Sequence, residues 1–125
     1  MDREVNKPVM DFFLSRRSHS ASTLGKPAPN QKALKKILTA AARTPDHGKL
    51  VPWRFLILDH VIMPKVAEKI FELGRAKEVD PDKLRKNANT FLKAPLVVAV
   101  ISSPSSEARI PLIEQQLSAG AVCLS

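Results

Sequence analysis

The sequence predicts a mixed domain of helices and a few strands, and three observations carry that expectation. Two short apolar runs, Phe55-Leu56-Ile57-Leu58 and Leu96 to Ile101, have the length and composition of buried strands. Around them, apolar residues recur at helical spacing, most clearly over Gln31 to Arg43 and Met63 to Ala76. A polar stretch, Arg43-Thr44-Pro45-Asp46-His47-Gly48-Lys49-Leu50-Val51-Pro52-Trp53-Arg54-Phe55, joins the clearest helix to the first strand. Its prolines and glycine constrain the backbone, and scaffold-held loops of this kind are where binding chemistry concentrates. A plain solvated connection is the competing reading of that stretch.

The 125 residues fit one domain, 1–125, with a modest core. A hydrophobic content of 44% argues against wholesale disorder. Twenty Lys and Arg against twelve Asp and Glu leave a net charge of +8, which favours an anionic partner: nucleic acid, a membrane surface or a phosphorylated small molecule. Aromatic content is 5% with no Tyr, too little for the base stacking of single-strand nucleic-acid binders. The single Cys123 excludes an internal disulfide or a cysteine metal framework and points to the cytoplasm. No apolar run approaches the ~18 residues that mark a membrane span, and the start lacks a signal-peptide core.

Taken in order, Pro8 to Leu14 reads as a short helix with proline in its first turn and Val9, Phe12 and Phe13 on one face. It leads into Arg16-Arg17-Ser18, where two guanidinium forks and a hydroxyl suit a phosphate. The bland alternative is a solvated helix end whose cations complement the helix dipole. Asn30 is positioned to cap the helix from Gln31 to Arg43, whose stripe is Leu34, Ile37, Leu38, Ala41 and Ala42. A helix follows the first strand through Val66, Ile70 and Leu73. Asp80-Pro81 starts another, stopped by Ala94-Pro95 and sparse enough in large apolar residues to read as a surface or lid-like helix. From Pro111 a last helix runs through Ile113, Leu117, Ala121 and Leu124, and its segment Ser118 to Leu124 is built for deep burial. Two strands make a thin core, so the chain is expected to be part of a larger domain or to be covered by a partner. His19, His47 and His60 are too scattered to suggest a metal site.

The order Arg16-Arg17-Ser18, Ala28-Pro29, a helix ending Ala-Ala-Arg-Thr-Pro-Asp-His, and Pro52-Trp53-Arg54-Phe55 resembles the flavin-dependent nitroreductase family. Ala94-Pro95 before a valine-rich strand and the run Glu114 to Gly120 fit the same pattern. The likeness is nearest to compact NAD(P)H nitroreductases with Pro-Asp-His in the first loop, and on that resemblance the chain is expected to lack the family's C-terminal part.

That resemblance implies an α+β fold: a sandwich with a central, mostly antiparallel sheet flanked by helices, here incomplete. It implies an intertwined homodimer with FMN at the interface, NAD(P)H (NAD or NADP) as electron donor, and a nitroaromatic, quinone or similar small aromatic acceptor. Arg16, Arg17 and Ser18 look like the phosphate and ribityl contacts. Arg43, Pro45, Asp46, His47 and Lys49 look like flavin-edge contacts reaching the cofactor from the other subunit. No side chain need act as a nucleophile, because the cofactor carries the chemistry. The chain departs from the common family pattern at Ser20, Lys49 and Val51, and Val51 lacks an amide for the flavin edge. The alternative is a truncated, non-catalytic remnant that binds flavin weakly or only packs against a partner. A basic module that binds nucleic acid through charge is the weakest reading, so neither nucleic acid nor a membrane is expected as a partner.

Overall fold

A computed structural model describes residues 5–124. Helices begin where the sequence supplies caps. Ahead of α1 (Lys7–Ser15), Asn6 Oδ1 accepts the Val9 N–H at 3.4 Å and Pro8 occupies the first turn. Ahead of α2 (Gln31–Ala41), Asn30 Oδ1 accepts the Ala33 N–H at 2.9 Å. After β1 (Trp53–Asp59) and α3 (Met63–Ala76), Asp80 Oδ1 accepts from the N–H groups of Asp82 and Lys83 to open α4 (Pro81–Lys93). The chain then forms β2 (Leu96–Ser102) and α5 (Leu112–Val122). Each side-chain cap satisfies amide groups that the first helical turn leaves without partners.

β1 and β2 pair antiparallel over their full length, from Trp53 opposite Ser102 to Asp59 opposite Leu96. The Ser103 N–H extends the ladder to the Pro52 carbonyl at 2.9 Å. Between the strands, α3 and α4 pack on each other through buried Met63, Ala67, Leu84 and Ala88. Gly74 permits this approach, since a Cβ there would lie 2.3 Å from Leu84 Cδ1. α3 then ends in a Schellman turn. Val79 N–H reaches the Gly74 carbonyl, Glu78 N–H reaches that of Arg75, and Glu78 takes the left-handed conformation.

The central core gathers Ala41 from α2, Trp53 from β1, and Ala119 and Val122 from α5, with Phe55 and Val100 packed against it. Here the structure departs from several expectations. α2 closes at Ala41, two residues before Arg43, where the Arg43 and Thr44 amides turn back onto the Ala40 and Ala41 carbonyls. β1 is not continuously buried: Phe55 packs on the core, but Ile57 on the same face is 44% exposed and Leu56 on the other is 51% exposed. α4 buries one face against α3, through Leu84 and Ala88, and is otherwise a surface helix. α5 buries only the face of Gln115, Ala119 and Val122, leaving Leu112, Ile113 and Leu117 more than half exposed. α1 has no buried residue, and Phe12 and Phe13 meet each other edge-on in the open. No helix among the described residues is long and apolar enough to cross a membrane.

Candidate functional site

The segment after α2 is folded into a fixed shape by bonds to the end of α2, by its own Asp46 and by α5. The amides of Arg43 and Thr44 turn back onto the carbonyls of Ala40 and Ala41, and Thr44 is buried. Within the loop, Asp46 Oδ2 accepts the Val51 N–H at 2.7 Å, and the Asp46 carbonyl accepts the Lys49 N–H at 3.1 Å. These two bonds close a turn over His47–Lys49.

That turn requires left-handed backbone at Gly48 (φ 76°), Lys49 (φ 52°) and Val51 (φ 48°). Glycine adopts such torsions at little cost, whereas a β-branched valine does so only when its surroundings dictate it. Each such non-glycine residue stores about 1–3 kcal/mol, and sites of this kind cluster where binding or catalysis needs a fixed geometry. The structure also limits Gly48 by space, because a Cβ there would meet Ile110 Cγ1 at 3.2 Å.

The surroundings that dictate the shape come from α5. Glu114 Oε2 accepts a hydrogen bond from His47 Nδ1–H at 2.7 Å, and the Ser118 hydroxyl donates to the Pro45 carbonyl at 2.9 Å. Glu114 and Ser118 stand four residues apart, so they share a helix face. Between them Gln115 is buried, with 2% of its surface exposed. It binds both backbone groups of Ser105 and the Ile110 carbonyl. Gln115 therefore fixes the segment that sets Ile110 against Gly48. Composition gave no hint of these three braces. Their one legible signal was the polar set Glu114, Gln115 and Ser118 inside a helix otherwise fit for burial.

The structure brings Arg43, Pro45, Asp46, His47 and Lys49 into this single braced loop. Arg43 lines two shallow hollows along α2, one of about 560 Å³ shared with Leu38 and Ile57, the other of about 500 Å³ with Lys32 and Lys36. The His47 side chain is 64% exposed, so its ring edge is open to a ligand while Nδ1 is held. Asp46 has spent one carboxylate oxygen on the loop itself.

Arg16, Arg17 and Ser18 lie elsewhere. Arg16 ends α1, its amide bonded to the Phe12 carbonyl, and all three residues are exposed. Among the described residues their side chains make no hydrogen bond or ion pair, and none links them to the braced loop. The two sets stand on different segments, one at the end of α1 and the other after α2.

Comparison with known proteins gives a consistent result. The profile of the nitroreductase family matches residues 14–124. The chain is 29% identical over 117 residues to the "Putative NAD(P)H nitroreductase YdjA" of Escherichia coli K12, covering 94% of this chain and 63% of that protein. It is 35% identical over 113 residues to a "Putative NAD(P)H nitroreductase" of Haemophilus influenzae, covering 90% of this chain and 60% of that protein. The chain thus spans about three fifths of the length of these curated relatives.

Proposed function

The chain belongs to the nitroreductase family, and from that premise we propose that it serves an FMN-dependent NAD(P)H oxidoreductase acting on nitroaromatic, quinone or similar acceptors. The observation that carries this reading is the contrast between two donor sets. Arg16, Arg17 and Ser18 offer guanidinium and hydroxyl donors that take part in no hydrogen bond or ion pair among the described residues, the chemistry a phosphate monoester dianion asks for. Arg43, His47 and Lys49 sit in a loop braced against movement, as a planar polar ring edge asks for. The donor sets fit FMN at both of its ends.

When bound, the flavin supplies hydride acceptance and onward electron transfer. The chain's own residues bind and orient. Arg16, Arg17 and Ser18 anchor the phosphate and ribityl end. Arg43 and Lys49 place positive charge by the ring edge, where a cation favours the reduced flavin. The Pro45–Asp46–His47 run supplies the edge contacts.

Because no bond joins the two sets within one chain among the described residues, a second copy bringing its loop to the first copy's phosphate anchor would complete the site. The exposed apolar residues Leu112, Ile113 and Leu117, with Phe12 and Phe13, supply the surface for such a homodimer. The cytoplasm is the compartment this reading expects.

The test is a titration of the protein with FMN and, separately, with duplex and single-stranded DNA at physiological salt, alongside sedimentation. Flavin quenching, thermal stabilisation by FMN and a dimer are the expected results. Tight DNA binding without any response to FMN overturns the proposal. A dimer that takes up no flavin supports instead a packing remnant of the family.

A further inference from the structure

Glu114 is the starting observation: it sits on α5, 67 residues from His47, and holds that ring by Nδ1 at 2.7 Å. An ionised carboxylate has no hydrogen to give, so the shared proton belongs to Nδ1. A neutral imidazole with hydrogen on Nδ1 carries a bare lone pair on Nε2. We infer that Glu114 is a positioning residue that fixes the His47 tautomer, so that Nε2 accepts a hydrogen bond from an N–H donor on the ligand ring. The inference rests on the flavin reading above and sharpens it to one atom pair.

The loop's chemistry supports that assignment. The pyrimidine edge of an isoalloxazine presents one N–H, at N3, between two carbonyl oxygens. A complementary protein edge needs one acceptor between two donors. Arg43 and Lys49 can only donate. The obvious acceptor in the loop is Asp46, but its Oδ2 already takes the Val51 N–H at 2.7 Å and it is half-buried. His47 is the more exposed alternative, and its outer nitrogen, Nε2, is the acceptor when something outside the loop holds the hydrogen on Nδ1. Glu114 does so, from a helix that also fixes the Pro45 carbonyl through Ser118. A purely structural tie would leave the choice of ring nitrogen without consequence. Here the nitrogen that is tied belongs to a ring still 64% exposed, with its other nitrogen available.

Two measurements test this. The first is the nitrogen chemical shifts of the His47 ring in flavin-free protein at about pH 8.5, where an imidazole is ordinarily neutral. Hydrogen on Nδ1 in the wild type and in Glu114→Gln, whose amide oxygen still accepts, is the expected result. Glu114→Ala should drift toward the Nε2–H form that free imidazole side chains favour. A wild-type ring protonated on Nε2 overturns the inference, whatever the variants do.

The second measurement compares riboflavin with N3-methylriboflavin, which lacks the N–H. Wild type and Glu114→Gln should prefer riboflavin by roughly 2–10-fold, the range of one neutral hydrogen bond. In Glu114→Ala that part of the preference should disappear. An unchanged preference in Glu114→Ala overturns the flavin role of Glu114. A wild type that binds neither ligand yet keeps hydrogen on Nδ1 overturns the flavin reading itself, and the two failures are thereby told apart.

Discussion

The two regions assigned to one ligand differ in how they are held. The loop from Arg43 to Pro52 is fixed by α5 through Glu114 and Ser118, by its own Asp46, and by the burial of Thr44, Pro52 and Trp53 around it. The segment from α1 to Ser18 has no buried residue and no side-chain tie to the rest among the described residues. A ring edge is recognised by direction, so its contacts must be rigid before it arrives. A phosphate is recognised largely by charge, which acts over distance and tolerates two exposed, unbraced guanidinium groups. On the proposed flavin reading, the braced loop would meet the ring edge and the exposed arginines the phosphate.

The largest effect should separate the regions by stability. Trp53→Ala removes the main aromatic of the central core and should cost about 3–5 kcal/mol, while Phe12→Ala should stay within about 0.5 kcal/mol in a monomer and cost more only where the proposed dimer buries it. Urea unfolding of the isolated chain reads both. A loss at Phe12 comparable to that at Trp53 would show that α1 is not open in solution, and dissociation of a dimer would explain it.

Ligand affinity comes next. Arg16→Ala or Arg17→Ala should lower FMN affinity by about one to two powers of ten, from about 1.5–3 kcal/mol per charge-assisted bond. Riboflavin, which lacks the phosphate, should barely notice, and stability should not change. Arg43→Ala and His47→Ala should weaken FMN and riboflavin alike. Equal losses of both ligands in the Arg16 and Arg17 variants would remove the phosphate assignment.

A third effect probes the backbone of the braced loop. Gly48→Ala places a Cβ at φ 76° and 3.2 Å from Ile110, and should cost more than about 1 kcal/mol in thermal or urea stability. Gly25→Ala meets open space and has no such torsion, so it should be close to neutral.

The smallest expected effect is Ser118→Ala, which removes one neutral bond to the Pro45 carbonyl at the cost of about 0.5–1.5 kcal/mol. Faster amide hydrogen exchange over residues 45–51, with residues 7–18 unchanged, would show that the brace acts on the loop alone.

Much of the fold was legible from short-range chemistry. Asn30 and Asp80 cap the helices that follow them, Pro8 and Pro81 sit in first turns, and α3 spans Met63–Ala76 as its spacing predicts. The two apolar runs are strands, and family resemblance carried by motifs at fixed order agrees with the match over residues 14–124. Caps, breakers and periodicities act between residues a few positions apart, so a sequence displays them directly.

Burial and bracing are different in kind. That Leu56 and Ile57 stay half exposed, or that Leu117 faces out while Ala119 faces in, depends on which layers cover each surface. The ties of His47 to Glu114 and of Pro45 to Ser118 span 67 and 73 residues, and no local rule connects such positions. The sequence by itself determined the elements and singled out the two groups of residues proposed to meet the ligand. Only the tertiary structure decided that one group is held rigid by α5 and the other left open, because that choice rests on contacts between parts of the chain that meet only after folding.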